Sequence, residues 1–378
     1  IMADNNENKV LNVPHLRFPE FSGEWKKHSL GEIGETIIGL TYKPSDVVDN
    51  NGIIVFRSSN IKNGMIDYSD LVRVNKHIKD KIITKENDIL VCARNGSQRL
   101  IGKNAIIKQE DANNTFGAFM MVYRANDNPF ILPLLSTKKY FSQVGENLGA
   151  RINQITTSDF NGFEFYFPEN HAERTKIAEL FRLLDERIAT QNKIIEKLQS
   201  LIKGLAVALT TKEKANIAIS QCLECHSSTL QESEVLSSGL CKVFGANGLV
   251  GYKDVPQMNG DAILVIKDGS GVGTVSYAQG KFSVIGTLNY LTVIGNNDLR
   301  YLYFALSVFN FQPYKTGMAI PHIYFKDYGK AKIYCPSLAE QKRVANVLDK
   351  LESKLFVEQE LLASFNQQKL YLLGKMFI

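Results

Sequence analysis

Apolar residues follow a heptad spacing in two segments of the chain, one central and one C-terminal. They recur at alternating intervals of four and three residues over positions 177–205 and again over 344–372. This spacing is typical of amphipathic helices that pack along one stripe, so it predicts the two long helices of a coiled coil. The stripe positions are Ile177, Phe181, Leu184, Ile188, Gln191, Ile195, Leu198, Ile202 and Leu205, and then Val344, Leu348, Leu351, Leu355, Glu358, Leu362, Phe365, Lys369 and Leu372.

Each stripe has a polar residue at its midpoint, Gln191 in the first and Glu358 in the second. Each stripe spans about 43 Å along its helix, so two such helices packed antiparallel would bring these midpoints together. We predict that the Gln191 amide meets the Glu358 carboxylate and fixes the register of the pair. In the alternative, each helix packs on its own domain and both residues face solvent. Lys369 is expected to extend its amine to water.

Short motifs predict where the helices begin and what precedes them. Asn170 with Glu173, and Ser337 with Glu340, have the spacing of capping boxes and follow a proline. Apolar runs of about five residues, bounded by Gly, Asn and Asp, predict short β-strands. The predicted strands cover residues 53–57, 89–93, 163–167, 262–266 and 331–335.

The chain contains an internal repeat, which predicts two related halves. Seven residues of the first half are matched by identical or similar residues 168 positions later, and five near its start are matched in the same way 200 positions later. The first set is Gly149, Ile152, Ile155, Asp159, Phe160, Tyr166 and Pro168, matched by Gly317, Ile320, Ile323, Asp327, Tyr328, Tyr334 and Pro336. The second set is Ser29, Leu30, Glu32, Gly39 and Leu40, matched by Thr229, Leu230, Glu232, Gly239 and Leu240.

The repeat and the helices together predict an α+β fold of two pseudo-repeated recognition domains, separated by an antiparallel coiled coil. The expected boundaries are residues 1–169 and 208–336 for the domains, and 170–207 and 337–378 for the helices. The interiors of the halves differ in length: 63 residues separate Gly39 from Gly102, against 34 between Gly239 and Gly273. Two similar but unequal domains suit an extended target such as duplex DNA, whose helical turn is about 34 Å.

Composition narrows the functional classes. The 378 residues are 44% hydrophobic and 22% charged, which is enough to form packed cores. The sequence has no apolar run of about 18 residues and does not begin like a signal peptide, so we expect a cytoplasmic protein without a membrane segment. Five dispersed cysteines fit a reducing compartment. A formal charge of +5 is too small to identify a polyanionic partner by itself.

Several motifs, in this order, resemble the specificity subunits of bacterial and archaeal type I restriction-modification systems. They are Phe-Pro-Glu-Phe-Ser-Gly-Glu-Trp at 18–25, Phe-Arg-Ser-Ser-Asn-Ile at 56–61, Phe-Gly-Ala-Asn-Gly at 244–248 with Gly-Tyr at 251–252, Gly-Met-Ala-Ile-Pro-His-Ile at 317–323 and Gly-Lys-Met-Phe-Ile at 374–378. The resemblance covers nearly the whole chain. It implies two target-recognition domains that each bind one half of a bipartite DNA site, with the paired helices as a molecular ruler.

The resemblance also implies partners. Two methyltransferase subunits would dock on the helices and restriction subunits would attach to them. The chain itself would be a non-catalytic subunit without a cofactor or metal, whereas S-adenosylmethionine, ATP and magnesium would be used on other subunits of the complex.

Candidate DNA-binding residues are polar or cationic side chains in predicted loops, since such groups contact base edges and phosphates. The alternative for each is a solvated turn. In the first half the candidates are Arg57, Ser58, Arg94, Asn95, Ser97, Gln98, Arg99, Arg151, Asn153 and Gln154, and in the second half Lys267, Asp268, Ser270, Lys315, His322 and Tyr324.

Other motifs point to different classes of protein. Cys222-Leu223-Glu224-Cys225-His226 has the form of a covalent haem attachment site, and with Cys241 it could form a zinc site. The glycines at 269–273 could form a phosphate-binding loop, but without a complete nucleotide-binding motif a turn between two strands is preferred. The alternative functions are a repeat scaffold that assembles partner proteins through its coiled coil and a stand-alone enzyme.

Overall fold

The computed structural model describes residues 12–148 and 153–378, which divide into two units. The first comprises residues up to Thr190 together with Leu362–Ile378, and the second is Gln191–Leu361. The boundary between residues 190 and 191 lies inside one long helix, and the boundary between 361 and 362 lies inside another. Three residues of the sequence analysis, Gly149, Arg151 and Ile152, lie outside the described residues.

The first unit is built from short strands and helices. Its strands are β1 (Lys26–Ser29), β2 (Glu35–Ile38), β3 (Val47–Val48), β4 (Ile53–Phe56), β5 (Ile61–Lys62), β6 (Met65–Ile66), β7 (Arg73–Val74), β8 (Ile89–Cys92), β9 (Asn104–Ile106), β10 (Thr115–Phe116), β11 (Met120–Arg124) and β12 (Glu164–Phe167). Its helices are α1 (Leu30–Ile33), α2 (Asn128–Leu134), α3 (Lys138–Glu146), α4 (Thr157–Asn161) and the first part of α5 (His171–Thr210).

The second unit contains a similar set of elements. Its strands are β13 (Ile217–Ala218), β14 (Leu223–Ser227), β15 (Cys241–Gly245), β16 (Gly248–Lys253), β17 (Met258–Asn259), β18 (Ala262–Ile266), β19 (Val275–Ala278), β20 (Lys281–Val284), β21 (Leu288–Val293) and β22 (Lys332–Ile333). Its helices are the second part of α5, then α6 (Ile219–Cys222), α7 (Leu299–Ser307), α8 (Phe325–Tyr328) and the first part of α9 (Leu338–Met376).

The sheet topology confirms the internal repeat and the α+β fold. An antiparallel sheet of order β2-β11-β8-β9 in the first unit corresponds to β14-β21-β18-β19 in the second. The antiparallel pair β1-β12 likewise corresponds to β13-β22. A second four-stranded sheet in each unit contains one parallel pair, β10-β4 in the first and β15-β20 in the second.

One inner strand of each antiparallel sheet, β8 or β18, is buried on both faces, which explains its unbroken apolar sequence. On β8, Ile89 and Val91 belong to one hydrophobic core and Leu90 to another. On β18, Ile263 and Leu264 divide between two cores in the same way. The predicted strands are confirmed to within a residue or two, except that the last is shortened to two residues. Its partner β13 has only two residues, and beyond Ile333 the Cys335 backbone pairs with the Asn216 side chain instead.

The two long helices begin immediately after the predicted caps. The Asn170 side chain accepts a hydrogen bond from the Ala172 amide at 2.9 Å, and the Ser337 hydroxyl accepts one from the Glu340 amide at 3.4 Å. The second hydrogen bond of each predicted capping box, from the cap residue's backbone amide to the acidic side chain three residues later, is wrong. The buried Glu173 carboxylate is held by Arg17 at 2.7 and 2.8 Å, and Glu340 pairs with Arg343 instead.

Within each unit, the segments of α5 and α9 pack antiparallel. In the first unit, the core contains Phe181 from α5 and Leu373 from α9, and the Arg187 guanidinium lies 4.9 Å from the centre of the Phe365 ring. In the second unit, Ala206 shares a core with Ala345. All the predicted stripe residues are buried or half-buried, which confirms the heptad seam.

The predicted contact between the two midpoints is confirmed. The Gln191 amide donates to a carboxylate oxygen of Glu358 and, at 2.9 Å, to its backbone carbonyl. Hydrogen bonds from Lys354 and Gln191 hold the pKa of the Glu358 carboxyl below its ordinary value. The expectation for Lys369 is wrong: its amine pairs with Asp185 across the seam, because the partner helix places a carboxylate within reach.

Replacing Gln191 with Leu should lower the melting temperature of the chain, since the buried Glu358 carboxylate then loses a hydrogen-bond donor. Replacing both Gln191 and Glu358 with Leu should restore the melting temperature at least to that of the native chain. Thermal unfolding followed by circular dichroism measures both. A double variant less stable than the single one would show that the pair does not act as a unit.

Candidate nucleic-acid interface

The loop that follows β8 in the first unit is tied to the residues that precede α4. Arg94 and Gln154 form an antiparallel backbone bridge. Next to it, the Asn95 amide donates to the Asn153 carbonyl at 3.2 Å, and the Asn153 side chain donates to the Gly96 carbonyl at 3.0 Å. Two predicted groups of candidate residues, far apart in sequence, are therefore brought together.

Two of the candidate residues are used to shape this loop. The Asn95 side chain accepts from the Ser97 amide at 3.0 Å and donates to the Ser58 hydroxyl at 2.9 Å. The Asn153 side chain likewise donates to the Gly96 carbonyl, so both asparagine side chains hold the loop backbone in place. Gln98 and Arg99 are exposed in the following short turn of helix.

The arginines of this loop region differ in their surroundings. The Arg57 guanidinium pairs with Asp70 at 2.8 Å and is only partly exposed. Arg94 is exposed, and its guanidinium lies 5.0 Å from the centre of the Phe119 ring. Phe119 itself is 59% exposed. Neither Asp70 nor Phe119 was predicted from sequence; for Phe119 the available signal was its place between Gly117 and strand β11, in the same predicted loop region.

The second unit builds an equivalent pair of loops. Asp268, in the loop after β18, forms an antiparallel backbone bridge with His322. The Gly269 amide donates to the Pro321 carbonyl at 2.9 Å, and the Ile323 amide donates to the Lys267 carbonyl at 2.9 Å. Candidate residues from two separate segments again meet in one place.

The side chains on this second pair of loops are mixed in charge and partly apolar. The Lys267 amine pairs with the Asp268 carboxylate, so Lys267 is already neutralised. The His322 ring packs edge-on against Tyr324 with centroids 5.2 Å apart, and Tyr324 is exposed. Ser270 is exposed and Lys315 is half-buried.

The tip of the loop between Thr316 and His322 carries two apolar side chains that sequence analysis did not select. Met318 is fully exposed and Ile320 is 65% exposed. Both belong to the motif at 317–323, so the motif itself was the available signal. Apolar groups on a loop beside polar ones can contact the methyl group of thymine in the major groove.

The cysteine-rich motif is engaged in ordinary packing. The His226 ring stacks on Tyr290 with centroids 4.8 Å apart and its Nε2 lies 2.9 Å from the Thr292 hydroxyl. The Cys241 thiol donates to the Lys253 carbonyl at 2.7 Å, and burial raises the pKa of the Cys225 thiol to about 11. The part of the chain that the structure describes holds no group of three His, Cys, Asp or Glu residues suited to a metal. The haem and zinc interpretations therefore have no structural support.

The glycine-rich segment at 269–273 is a turn between strands, as preferred from sequence. The Val272 amide donates to Gly269 at 3.1 Å and the Gly273 amide donates to Ile266 at 2.8 Å. These bonds connect β18 to β19 and close the loop on itself. Among the described helices, none is both long and apolar enough to cross a membrane.

Comparison with known proteins identifies the class to which this fold belongs. Residues 22–200 and 226–367 match the family of the type I restriction modification DNA specificity domain. Because these matches cover most of the chain, the chain belongs to that family.

Individual relatives agree with this assignment. The chain is 25% identical over 259 residues to the StySPI type I restriction enzyme specificity subunit of Salmonella potsdam, covering 63% of this chain and 56% of the relative. It is 26% identical over 193 residues to the EcoKI specificity subunit of Escherichia coli strain K12, covering 49% of this chain and 41% of the relative. The chain thus spans about half the length of the curated relatives it matches.

Solved structures share the fold. The type I restriction-modification S subunit from M. genitalium superposes with a TM-score of 0.68 at 20% identity, covering 97% of this chain and 99% of that one. A structure concerning complex assembly and conformational transition of a type I system matches with a TM-score of 0.52 at 16% identity, covering 96% of this chain and 99% of that one.

Replacing Gly317 with Ala should disorder the loop from Thr316 to His322. Gly317 has φ +86°, and an added Cβ would overlap the Ile320 carbonyl oxygen and lie 2.9 Å from the His322 ring. Limited trypsin digestion should then cleave faster after Lys315.

Gly280→Ala is the matched control, because Gly280 has φ +74° with open space around it. It carries the backbone strain of about 1–2 kcal/mol without the clash. Equal cleavage rates in the two variants would show that contact with the Ile320 carbonyl does not shape the loop.

Proposed function

We propose that this chain is the DNA sequence-specificity subunit of a type I restriction-modification complex. Each unit binds one half of a bipartite, gapped site, and the helices α5 and α9 set the distance between the halves. The observation that carries this proposal is the duplicated loop pair, joined by the bridge Arg94–Gln154 in one unit and Asp268–His322 in the other. The same frame with different side chains is what two different half-sites require. Family membership supports the same function.

The outer faces of the long helices support a role in assembly. Several large apolar side chains there are exposed instead of packed in the seam, which is unusual for helix residues that face water. They include Leu183, Leu201, Phe356, Val357, Leu370 and Tyr371. Two methyltransferase subunits docking on these faces would bury them, and restriction subunits would attach to the methyltransferase subunits.

The chemistry belongs to those partners in this proposal. The chain acts without a cofactor or metal of its own, whereas S-adenosylmethionine, ATP and magnesium are used on other subunits. Since its target is DNA, the complex would work in the cytoplasm of a bacterium or archaeon.

A scaffold that assembles proteins without binding DNA is the second candidate, and the exposed apolar faces of the helices favour it equally. DNA binding separates the two functions. The chain should bind duplexes with two recognition blocks and a gap, with an affinity that falls steeply as salt increases, because lysine and arginine contacts release counterions from phosphates. Binding is measured by fluorescence anisotropy between about 50 and 200 mM salt.

A chain that retains its fold but shows no salt-dependent binding to any such duplex would support the scaffold. Incubating the isolated chain with DNA and labelled S-adenosylmethionine provides the test for a stand-alone enzyme. Methyl transfer by the isolated chain would overturn the assignment as a non-catalytic subunit.

Shortening both helices by one heptad should shorten the gap in the preferred DNA site. Deleting residues 192–198 and 351–357 removes about 10.5 Å of helix while keeping the contact between Gln191 and Glu358. At about 3.4 Å per base pair, the gap should lose about three base pairs. The gap is measured by selecting duplexes with spacers of every length.

A deletion of four residues from each helix is the control, since it breaks the heptad phase and should destabilise the pair. If the seven-residue variant folds, binds and selects the original gap, the helices do not measure the distance.

A further inference from the structure

The two bridged loop pairs place different chemical groups at equivalent positions. Arg94 lies two residues after the end of β8, and Asp268 lies two residues after the end of β18. Their bridge partners, Gln154 and His322, are related by the repeat offset of 168 residues. The backbone pairing at these positions is therefore equivalent in the two units, whereas a cation in the first unit is replaced by a carboxylate in the second.

In the first unit, the surroundings of Arg94 leave its guanidinium available. Among the described residues it has no carboxylate partner, in contrast to Arg57, which Asp70 holds at 2.8 Å. The Phe119 ring lies beneath it at 5.0 Å. Stacking of this kind restricts the rotamers of a long side chain, so less entropy is lost when the guanidinium binds. A guanidinium held by an aromatic face and open to solvent suits bidentate binding to guanine O6 and N7.

In the second unit, neither the cation nor the aromatic ring is retained. The residue before β21 is Thr287, at the position that Phe119 occupies before β11. The Asp268 carboxylate is partly exposed and pairs with Lys267, which reduces its repulsion from DNA phosphates. A carboxylate in this position accepts a hydrogen bond from the N4 amino group of cytosine.

We propose that Arg94 and Asp268 are the base-reading residues of equivalent positions, Arg94 selecting guanine in one half-site and Asp268 selecting cytosine in the other. Phe119 is a positioning residue for Arg94. The inference rests on the proposed function, because it assumes that each unit binds one half of a DNA site.

The test is selection of duplexes by the full chain from a library with two randomised blocks and variable spacers, followed by sequencing. Arg94→Ala should abolish a guanine preference at one position of one block and leave the other block unchanged. Affinity for the preferred site should fall by about 5- to 150-fold, and affinity for the site mutated at that position should stay nearly constant. Asp268→Asn should change the cytosine preference in the other block to adenine, since an amide pairs with adenine N6 and N7.

Two further variants test the role of the aromatic ring. Phe119→Ala should weaken discrimination at the same position that Arg94→Ala affects, and Phe119→Tyr should retain it because the ring is kept. Lys81→Ala, which removes a well-exposed cation paired with Glu35, is the control for loss of charge and should not change base preference. Melting curves of all variants show whether each one folds.

The outcomes separate this inference from the proposed function. If the native chain selects no sequence, the proposed function fails and the inference fails with it. If the native chain selects a bipartite site but Arg94→Ala weakens binding to all sequences equally, Arg94 contacts phosphate and the inference alone is wrong. A cytosine preference that survives in Asp268→Asn would overturn the assignment of Asp268 as the residue that selects cytosine.

Discussion

A carboxylate in an apolar helix seam is costly unless a donor meets it, and this requirement fixes how α5 and α9 pair. Glu358 satisfies it with Gln191 and Lys354, and a shift of either helix by one heptad would place an apolar residue opposite the carboxylate. The ion pair between Lys369 and Asp185 adds a second polar contact in the same register. The seam therefore specifies one antiparallel alignment, in the way that a buried polar residue specifies register in other coiled coils.

The two bridged loop pairs depend on a different constraint, the burial of β8 and β18 on both faces. A strand packed between two cores cannot shift without exposing apolar side chains to water, so the loop that follows it starts from a fixed point. The backbone bridges at Arg94 and Asp268 then hold that loop to the segment before the next short helix. On a rigid base of this kind the loop side chains can vary without loss of the fold, which is how binding loops on other scaffolds behave.

Much of this arrangement could be predicted from sequence because it depends on periodic or repeated residues. Heptad spacing predicted α5 and α9, and the polar residue at the midpoint of each stripe predicted the contact of Gln191 with Glu358. Contacts between distant segments that neither the repeat nor the heptad spacing relates could not be predicted. Nothing local indicates that Glu173 pairs with Arg17, that Asp70 neutralises Arg57 or that Phe119 lies beneath Arg94. Sequence patterns located the candidate loops. Which of their side chains are already paired within the protein is visible only in the structure.

The central claim is that two units of one chain bind two separate tracts of DNA. Hydroxyl-radical footprinting of the selected duplex, with the native chain bound, tests it most directly. Two protected tracts separated by an exposed gap are expected. In a duplex with one recognition block replaced by random sequence, that tract should lose its protection at a higher protein concentration than the intact tract. A single uninterrupted tract of protection would contradict the binding of two separate tracts by the two units.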